Sequence, residues 1–551
     1  MKNKPIFWLF KKVKKRTPAI LIMTAAHIMQ AAFGVLFALG TKAVIDSAVS
    51  GAKGEFVLAC IKQAGIIATI LISITVYRHL KDKLMADLDR DWKKEILHGL
   101  LYGEYADVST YHSAELLNRL NNDVKTVDDS ILTLLPNIAA MVTRLVMAGA
   151  VLAALDMRFT IVILSAGAVV IVLTGILRKK LKNLHKQVSR MDGKVSGFIQ
   201  EIMEKLLMVQ AMYVSEEVEK RAGVLLEDRY QLQRKRKNVS LVANTAVSGM
   251  YYGAGFIALI WCSFHLLNGQ MTFGSLTAIT QLVNQLQNPF VNLSNIIPRY
   301  IAMLAAAERL MELEEVQGEY QAPRNNTSEI YDNMHGIVGK NLTFAYDRDV
   351  IFKNADFYLP KNSFTVITGP SGIGKSTLLK AMLGIFKCTE GEMLLTGDTD
   401  ALIDRKMRRL FAYVPQGNLI LSGTIKENIA ISNPDATDSD IEQALYISRA
   451  DEFVHNLPMG IHTQLGESGA GLSEGQLQRI AIARAVLSDA PILLLDECTS
   501  ALDEEIEKTV LNRIKDMADK TCIAITHRPA ALEICDWQME IRDKKIYCKK
   551  R

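Results

Sequence analysis

Charge is absent from this sequence in long blocks. Thr17 to Thr41 has no Asp, Glu, Lys or Arg over 25 residues, and Val239 to Pro298 has none over 60. Such runs argue against a wholly soluble protein, because about 20 apolar residues suffice to cross a hydrocarbon core of ~30 Å. The 49% apolar composition and the mean hydropathy of +0.13 agree. Cysteine is scarce: seven in 551 residues, an odd number at spacings that fit no zinc pattern, five of them in the C-terminal part. A disulfide framework is therefore not expected, and free thiols in a reducing compartment are. No strong charge of one sign is present either, and a net charge of +5 gives no reason to expect nucleic acid as a partner. The N-terminal apolar run is longer than a signal-peptide core and more such runs follow it, so it reads as a span rather than a removable leader.

Six spans are expected, at 17–41, 56–77, 131–155, 159–177, 239–267 and 272–298. The last two come from dividing the 60-residue uncharged stretch at "NGQMTFG", Asn268 to Gly274. Long charged connections follow spans two and four, and short turns follow spans three and five. Lys and Arg are concentrated at the N-terminus and in the long connections, which places these in the cytoplasm of a multi-pass protein of the cell membrane. An even number of spans puts both termini there. The cluster "KKVKKR", Lys11 to Arg16, reads as a cytoplasmic anchor at the surface of the lipid bilayer, the alternative being a solvated charge run. The long connections keep a helical pattern, so the membrane helices are expected to continue into the cytoplasm.

The polar stretch "EYQAPRNNT", Glu319 to Thr327, breaks that pattern. It divides the chain into a membrane domain over 1–320, a linker over 321–335 and a second domain over 336–551. In the second domain, short β-rich runs such as "SFTVITG", "PILLLD" and "TCIAIT" alternate with helical patterns. Buried parallel strands of an α/β domain have this form.

Gly369-Pro370-Ser371-Gly372-Ile373-Gly374-Lys375-Ser376, followed by Thr377, fits the phosphate loop G-x-x-x-x-G-K-[ST], between an apolar strand and a helix. Its glycines let consecutive N–H groups turn towards phosphate oxygens. Lys375 reaches the β- and γ-phosphates of ATP, and the Ser376 hydroxyl binds Mg²⁺. About 120 residues on, four apolar residues lead into Asp496 and Glu497. Asp496 is placed to hold Mg²⁺, and Glu497 to polarise the attacking water.

Between these lies "LSEGQLQRIAIARA", Leu472 to Ala485. With it the chain is similar to an ATP-binding cassette (ABC) transporter, whose signature is usually written LSGGQ. The resemblance covers nearly the whole chain and implies that Ser473, Gly475 and Gln476 bind the γ-phosphate held by an opposite cassette. Glu474 departs from the commonest glycine. By the same resemblance Tyr346 stacks on adenine, and Gln416 is the Q-loop glutamine that contacts Mg²⁺ and senses the membrane domain. Asp503 is the D-loop aspartate that crosses the cassette dimer, and His527 the switch histidine on the γ-phosphate. "SGTIKEN" and "TQLGESGAGLSEGQ" resemble exporter cassettes, with Leu465 to Gly469 as the X-loop. "AELLNRLNNDVKTV", Ala114 to Val127, resembles the first intracellular loop of exporters. The implied fold is a membrane domain of six transmembrane helices with long cytoplasmic extensions, the ABC exporter fold, plus an α/β P-loop cassette. The sequence stops at "QMEIRDKKIYCKKR" soon after His527, so C-terminal helices that would support cassette dimerisation are expected to be absent and association without ATP weak. No peptidase domain precedes the first span, so leader cleavage is not expected.

In the sixth span, Gln281, Asn284, Gln285, Asn288, Asn292 and Asn295 share one helical face. Polar groups in a membrane need partners or water, so this face is expected to line the transport cavity; the alternative is hydrogen bonding between helices. Arg144 lies 11 residues before Leu155, ~16 Å along a helix, near mid-bilayer, where a charge faces a bundle interior or an aqueous cavity. No acidic residue occurs in any of the six spans. Arg144 is thus a candidate for binding an anionic or carboxylate-bearing substrate, the alternative being that it snorkels to the inner leaflet.

The expected function is ATP-driven export by alternating access. One chain supplies one phosphate loop and one signature, so a second half-transporter is the required partner. A homodimer is favoured because both sides look competent; a heterodimer with a degenerate partner is the alternative. An exporter-fold importer of a small molecule or metal chelate is a further alternative, whereas six spans exclude a soluble cassette ATPase. Drug, lipid and peptide exporters share all these motifs, so they leave the substrate open.

Overall fold

The computed structural model describes residues 4–111, 113–316, 327–346, 349–417, 420–466, 471–517 and 519–551; at 4, 164, 166–180, 182, 247, 288–295, 297, 315–316, 327, 346 and 349 it describes the backbone alone. The chain forms two compact units, one of Met1–Gly99 with His112–Glu315, the other of Leu100–Tyr111 with Val316–Arg551.

The first unit is helical. A short amphipathic helix α1 (Lys4–Val13) precedes six long ones: α2 (Thr17–Ser50), α3 (Lys53–Tyr102), α4 (Val124–Leu155), α5 (Met157–Glu204), α6 (Ser215–Leu267) and α7 (Phe273–Val316). Each expected span falls on one of them. Stretches long and apolar enough to cross a membrane lie in Pro5–Ser50, Lys53–Tyr102, Ser113–Leu155 and Ser215–Leu267. The expected spans at 159–177 and 272–298 fall partly on residues whose side chains lie outside the description. As the charge pattern of the connections implies, α3, α5 and α6 run well past their apolar runs.

Local signals set the ends. Helix α2 stops at Gly51, whose φ of 72° suits a residue without a β-carbon. Asp156 alone separates α4 from α5 and caps α5 by accepting from Phe159 N at 3.0 Å. The expected break between spans five and six is a turn after Leu267, held because Asp46 on α2 accepts from Thr272 Oγ1 (3.1 Å) and Gly274 N (3.0 Å). Val35, Leu152, Phe159, Cys262 and Ile279, one from each of α2, α4, α5, α6 and α7, meet in one core.

The basic cluster is only partly free for lipid. Lys12 pairs with Glu95 and Glu314 and lies over the rings of Trp8 and Trp92, while Arg16 pairs with Asp87 (3.1 Å) and Asp91 (2.9 Å). Lys11, Lys14 and Lys15 are exposed. The stretch likened to an exporter's first intracellular loop forms Ser113–Asn118, a π-turn at Arg119–Asp123 and the start of α4. Arg119 donates to Glu115, Glu312 and the Arg309 carbonyl, and Arg309 returns two bonds to Asp123. Close by, Asp128 is buried, and among the described residues neither of its oxygens has a hydrogen-bond partner of good geometry. Burial, aided by Asp89, pushes its carboxyl up to about 8.

The second unit is the α/β cassette. Strands β1 (Met334–Tyr346), β2 (Asp349–Pro360), β4 (Glu390–Gly397) and β5 (Ala401–Leu402) form an antiparallel sheet in the order β2-β1-β4-β5. Strands β3 (Phe364–Thr368), β6 (Phe411–Val414), β9 (Ile492–Asp496), β10 (Thr521–Ile525), β11 (Trp537–Arg542) and β12 (Lys545–Lys550) form the second, in the order β12-β11-β3-β10-β9-β6. Between them in sequence, β7 (Gly423–Thr424) and β8 (Gln464–Leu465) make a small pair. β3, β9 and β10 are buried along nearly their whole length, which is why they read as continuous apolar runs. The seven cysteines are free thiols.

Candidate functional site

Strands β6, β9, β10 and β3 run parallel, so their carboxyl ends lie along one edge of the sheet. That edge gathers residues far apart in sequence: Gly369 after β3, Gln416 after β6, Asp496 at the end of β9 and His527 after β10. Open α/β sheets bind ligands at this edge.

The phosphate loop leaves β3 and enters helix α8 (Lys375–Met382) through Gly374, at φ 101°. A β-carbon there would also stand 2.1 Å from Ile351 Cγ2, so only glycine fits. Lys375 Nζ donates to the carbonyls of Gly369 (2.8 Å) and Pro370 (3.1 Å) within its own loop. Burial pulls this ammonium below its ordinary range, while Glu497 and Asp496 support its charge. Ser376 Oγ donates to Asp496 Oδ1 at 2.9 Å. Burial pushes the Asp496 carboxyl up, opposed by the bonds from Ser376 and Tyr413. A glycine-rich loop at a helix N-terminus, a buried ammonium and a hydroxyl–carboxylate pair suit a triphosphate and a hard divalent cation.

Glu497 follows with φ 50°, a left-handed backbone that costs a non-glycine residue roughly 1–2 kcal/mol. Its N–H is tied to Ile525 O at 3.0 Å. Its carboxylate accepts from Gln416 Nε2 at 2.8 Å and stands 4.0 Å from His527 Nε2. Gln416 and His527, both singled out in the sequence, thus converge on the carboxylate of a third such residue, Glu497.

The signature forms a separate feature. Ser473 caps helix α9 (Glu474–Leu487) in a reciprocal box with Gln476, Ser473 N to Gln476 Oε1 at 2.8 Å and Gln476 N to Ser473 Oγ at 3.3 Å. Gly475 packs so tightly that a β-carbon would lie 2.8 Å from Ala501 O. Asp503 begins helix α10 (Glu504–Lys515) without capping it. Among the described residues, no hydrogen bond joins Gly369–Thr377 to Ser473–Gln476.

Tyr346 closes β1, but its side chain lies outside the described residues, as do 467–469 of the X-loop. Three further groups brace the site without a motif to mark them. Tyr413 donates to Asp496 Oδ2 at 2.9 Å. Gln478 of the signature helix holds Ser500 Oγ (3.2 Å) and Ala501 N (3.1 Å). Arg528 donates to the carbonyls of Ser500 and Leu502 and pairs with the buried Glu507 at 3.3 Å. Only the positions of Tyr413, three before Gln416, and Arg528, next to His527, hinted at such roles.

In the helical unit a cavity of about 370 Å³ is lined by Arg144 of α4 and Gln285 of α7, with Gln30, Phe37, Ile67 and Leu71 among the others. Gln281 and Asn284 are not on its wall, and the side chains of Asn288, Asn292 and Asn295 lie outside the described residues.

Comparisons with known proteins bear on both units. Residues 19–290 match the family model "ABC transporter transmembrane region", and 352–500 the model "ABC transporter". YgaD of Bacillus subtilis (strain 168), named for multidrug export, is 28% identical over 78% of this chain and 74% of its own length. An ATP-dependent lipid A-core flippase of Vibrio vulnificus (strain CMCP6) is 28% identical over 79% of this chain and 75% of its own. The solved structure of a bacterial Atm1-family ABC exporter with ATP bound shares the fold, with a TM-score of 0.77 over 98% of this chain and 95% of that one at 22% identity. A helical membrane region and a nucleotide cassette in one polypeptide make this chain a member of the ABC transporters, an exporter-type protein that couples ATP hydrolysis to transport.

Proposed function

We propose that two copies of this chain form one pump, with each ATP held between the phosphate loop of one copy and Ser473–Gln476 of the other. The observation that carries this reading is that the cassette holds a phosphate loop and a signature with no hydrogen bond between them among the described residues. Intact Glu497, His527 and Ser473 favour a homodimer with two working sites. Ser376 and Asp496, with Gln416 near, would hold Mg²⁺, which would supply positive charge against the phosphates. Glu497 takes the proton of the attacking water, Lys375 stabilises charge on the β- and γ-phosphates, and His527 donates to the γ-phosphate. ATP acts as a ligand that favours the closed pair of cassettes; hydrolysis removes the bridging phosphate and reopens it. The Lys and Arg bias of the long connections supports a cytoplasmic cassette.

For the substrate, Arg144 supports an anionic head group. Among the described residues it has no acidic partner, and it shares its cavity with the amides of Gln30 and Gln285 and with apolar Phe37, Ile67 and Leu71. An amphiphile with an anionic end fits this wall. The test of the dimer is the Glu497→Gln chain with ATP and Mg²⁺. It should run as a dimer retaining two nucleotides; a monomer holding occluded ATP would overturn the reading.

A further inference from the structure

The segment Leu100–Tyr111 clusters with the cassette and is the direct continuation of α3. Arg405 Nη2 donates to the carbonyls of Tyr102 (2.6 Å) and Gly103 (2.8 Å), and Lys387 pairs with Glu104 at 2.7 Å. Tyr105 packs edge-on against Phe386, with centroids 6.2 Å apart. Tyr413 sits on β6 beside β9, and its hydroxyl donates to Asp496 Oδ2 at 2.9 Å, while Ser376 Oγ holds Oδ1 of the same carboxylate. Both oxygens of Asp496 are therefore fixed, one by the phosphate loop and the other by a tyrosine of β6.

We propose that Tyr413 is a positioning residue for the Mg²⁺-holding carboxylate, so that its hydrogen bond to Asp496 sets how well the cassette binds Mg²⁺-nucleotide. The physical basis is the orientation of a metal ligand by an outer hydrogen bond, whose loss typically weakens metal binding by 10–100-fold. Strand β6 thereby serves both site carboxylates from one backbone: Tyr413 holds Asp496, and Gln416, just past its end, holds Glu497. The inference rests on the reading of Asp496 as a holder of Mg²⁺.

The test is calorimetric titration of the full-length protein in lipid nanodiscs with AMP-PNP, in excess EDTA and in excess Mg²⁺. The gain in affinity that Mg²⁺ confers should fall about tenfold in Tyr413→Phe, with affinity in EDTA unchanged. A Tyr413→Phe protein with the parent's Mg²⁺ gain, or losing affinity equally in EDTA, overturns the positioning role. Asp496→Asn separates the two levels: if it keeps the full gain, the Mg²⁺ reading itself fails, whereas if it loses the gain while Tyr413→Phe keeps it, only the present inference fails.

Discussion

Gln416 and Glu497 are joined by a hydrogen bond of 2.8 Å between amide and carboxylate, although 81 positions separate them. The bond aims the proposed general base, with His527 4.0 Å away on its other oxygen. Glu497→Gln should cut turnover by about 10²–10⁴-fold while leaving ATP affinity within about twofold. Gln416→Ala should cost roughly tenfold, since the base remains but is less well held. Steady-state ATPase and nucleotide binding check both.

Gly475 lies against the carbonyl of Ala501, so that a β-carbon would approach it to 2.8 Å. Gly475→Ala must move the Ala501 to Asp503 backbone or the start of α9. ATPase should fall roughly 100-fold through misplacement alone, with binding to the phosphate loop kept. Unchanged turnover would show that this contact gives easily.

The motif residues were legible in the sequence because each carries its own chemistry: a glycine-rich loop before a helix, a strand ending in two acids. Their convergence was legible too, as parallel strands bring carboxyl ends to one edge. The bracing groups were not. Tyr413 reads as an ordinary strand aromatic, and its bond to Asp496 depends on the neighbouring strand's register, Val414 against Leu495. The docking of Tyr102 to Tyr105 on Lys387, Arg405 and Phe386 joins positions some 300 apart, beyond the reach of any local pattern. The amide stripe gave the face of α7 but not the phase of the cavity wall, which comes from four helices meeting.

Arg144 gives a prediction about ligands. Anionic amphiphiles should stimulate the parent ATPase in lipid more than neutral ones of equal chain length. Arg144→Ala should abolish that difference and Arg144→Lys should keep much of it. Equal stimulation in parent and Arg144→Ala would mean that the guanidinium serves only to snorkel or to pack.

Asp128 gives a prediction about pH. Its carboxyl titrates near 8 when folded, against a reference of 3.8, so folding opposes ionisation. The penalty is absent below about pH 4 and grows as pH rises towards 8, so stability is lost on going upward. Its chain neighbour Asp129 is unlike it, pairing with Lys81 (3.5 Å) and Arg299 (3.3 Å). Asp128→Asn should gain on the order of 1–2 kcal/mol relative to the parent between pH 6 and pH 8. Thermal unfolding at both values checks this; a difference independent of pH would contradict it.

The central claim is that each ATP site is completed by a second chain. In the Glu497→Gln background, one chain carries Lys375→Ala and the other Ser473→Asp, which keeps an N-cap oxygen but sets a negative charge against the triphosphate. Each homodimer should occlude no ATP. The mixed dimer, isolated with two different tags, unites an intact Lys375 with an intact Ser473 at one of its sites and should occlude a single nucleotide. No occlusion by the mixed dimer would place both halves of the site in one chain and contradict the account.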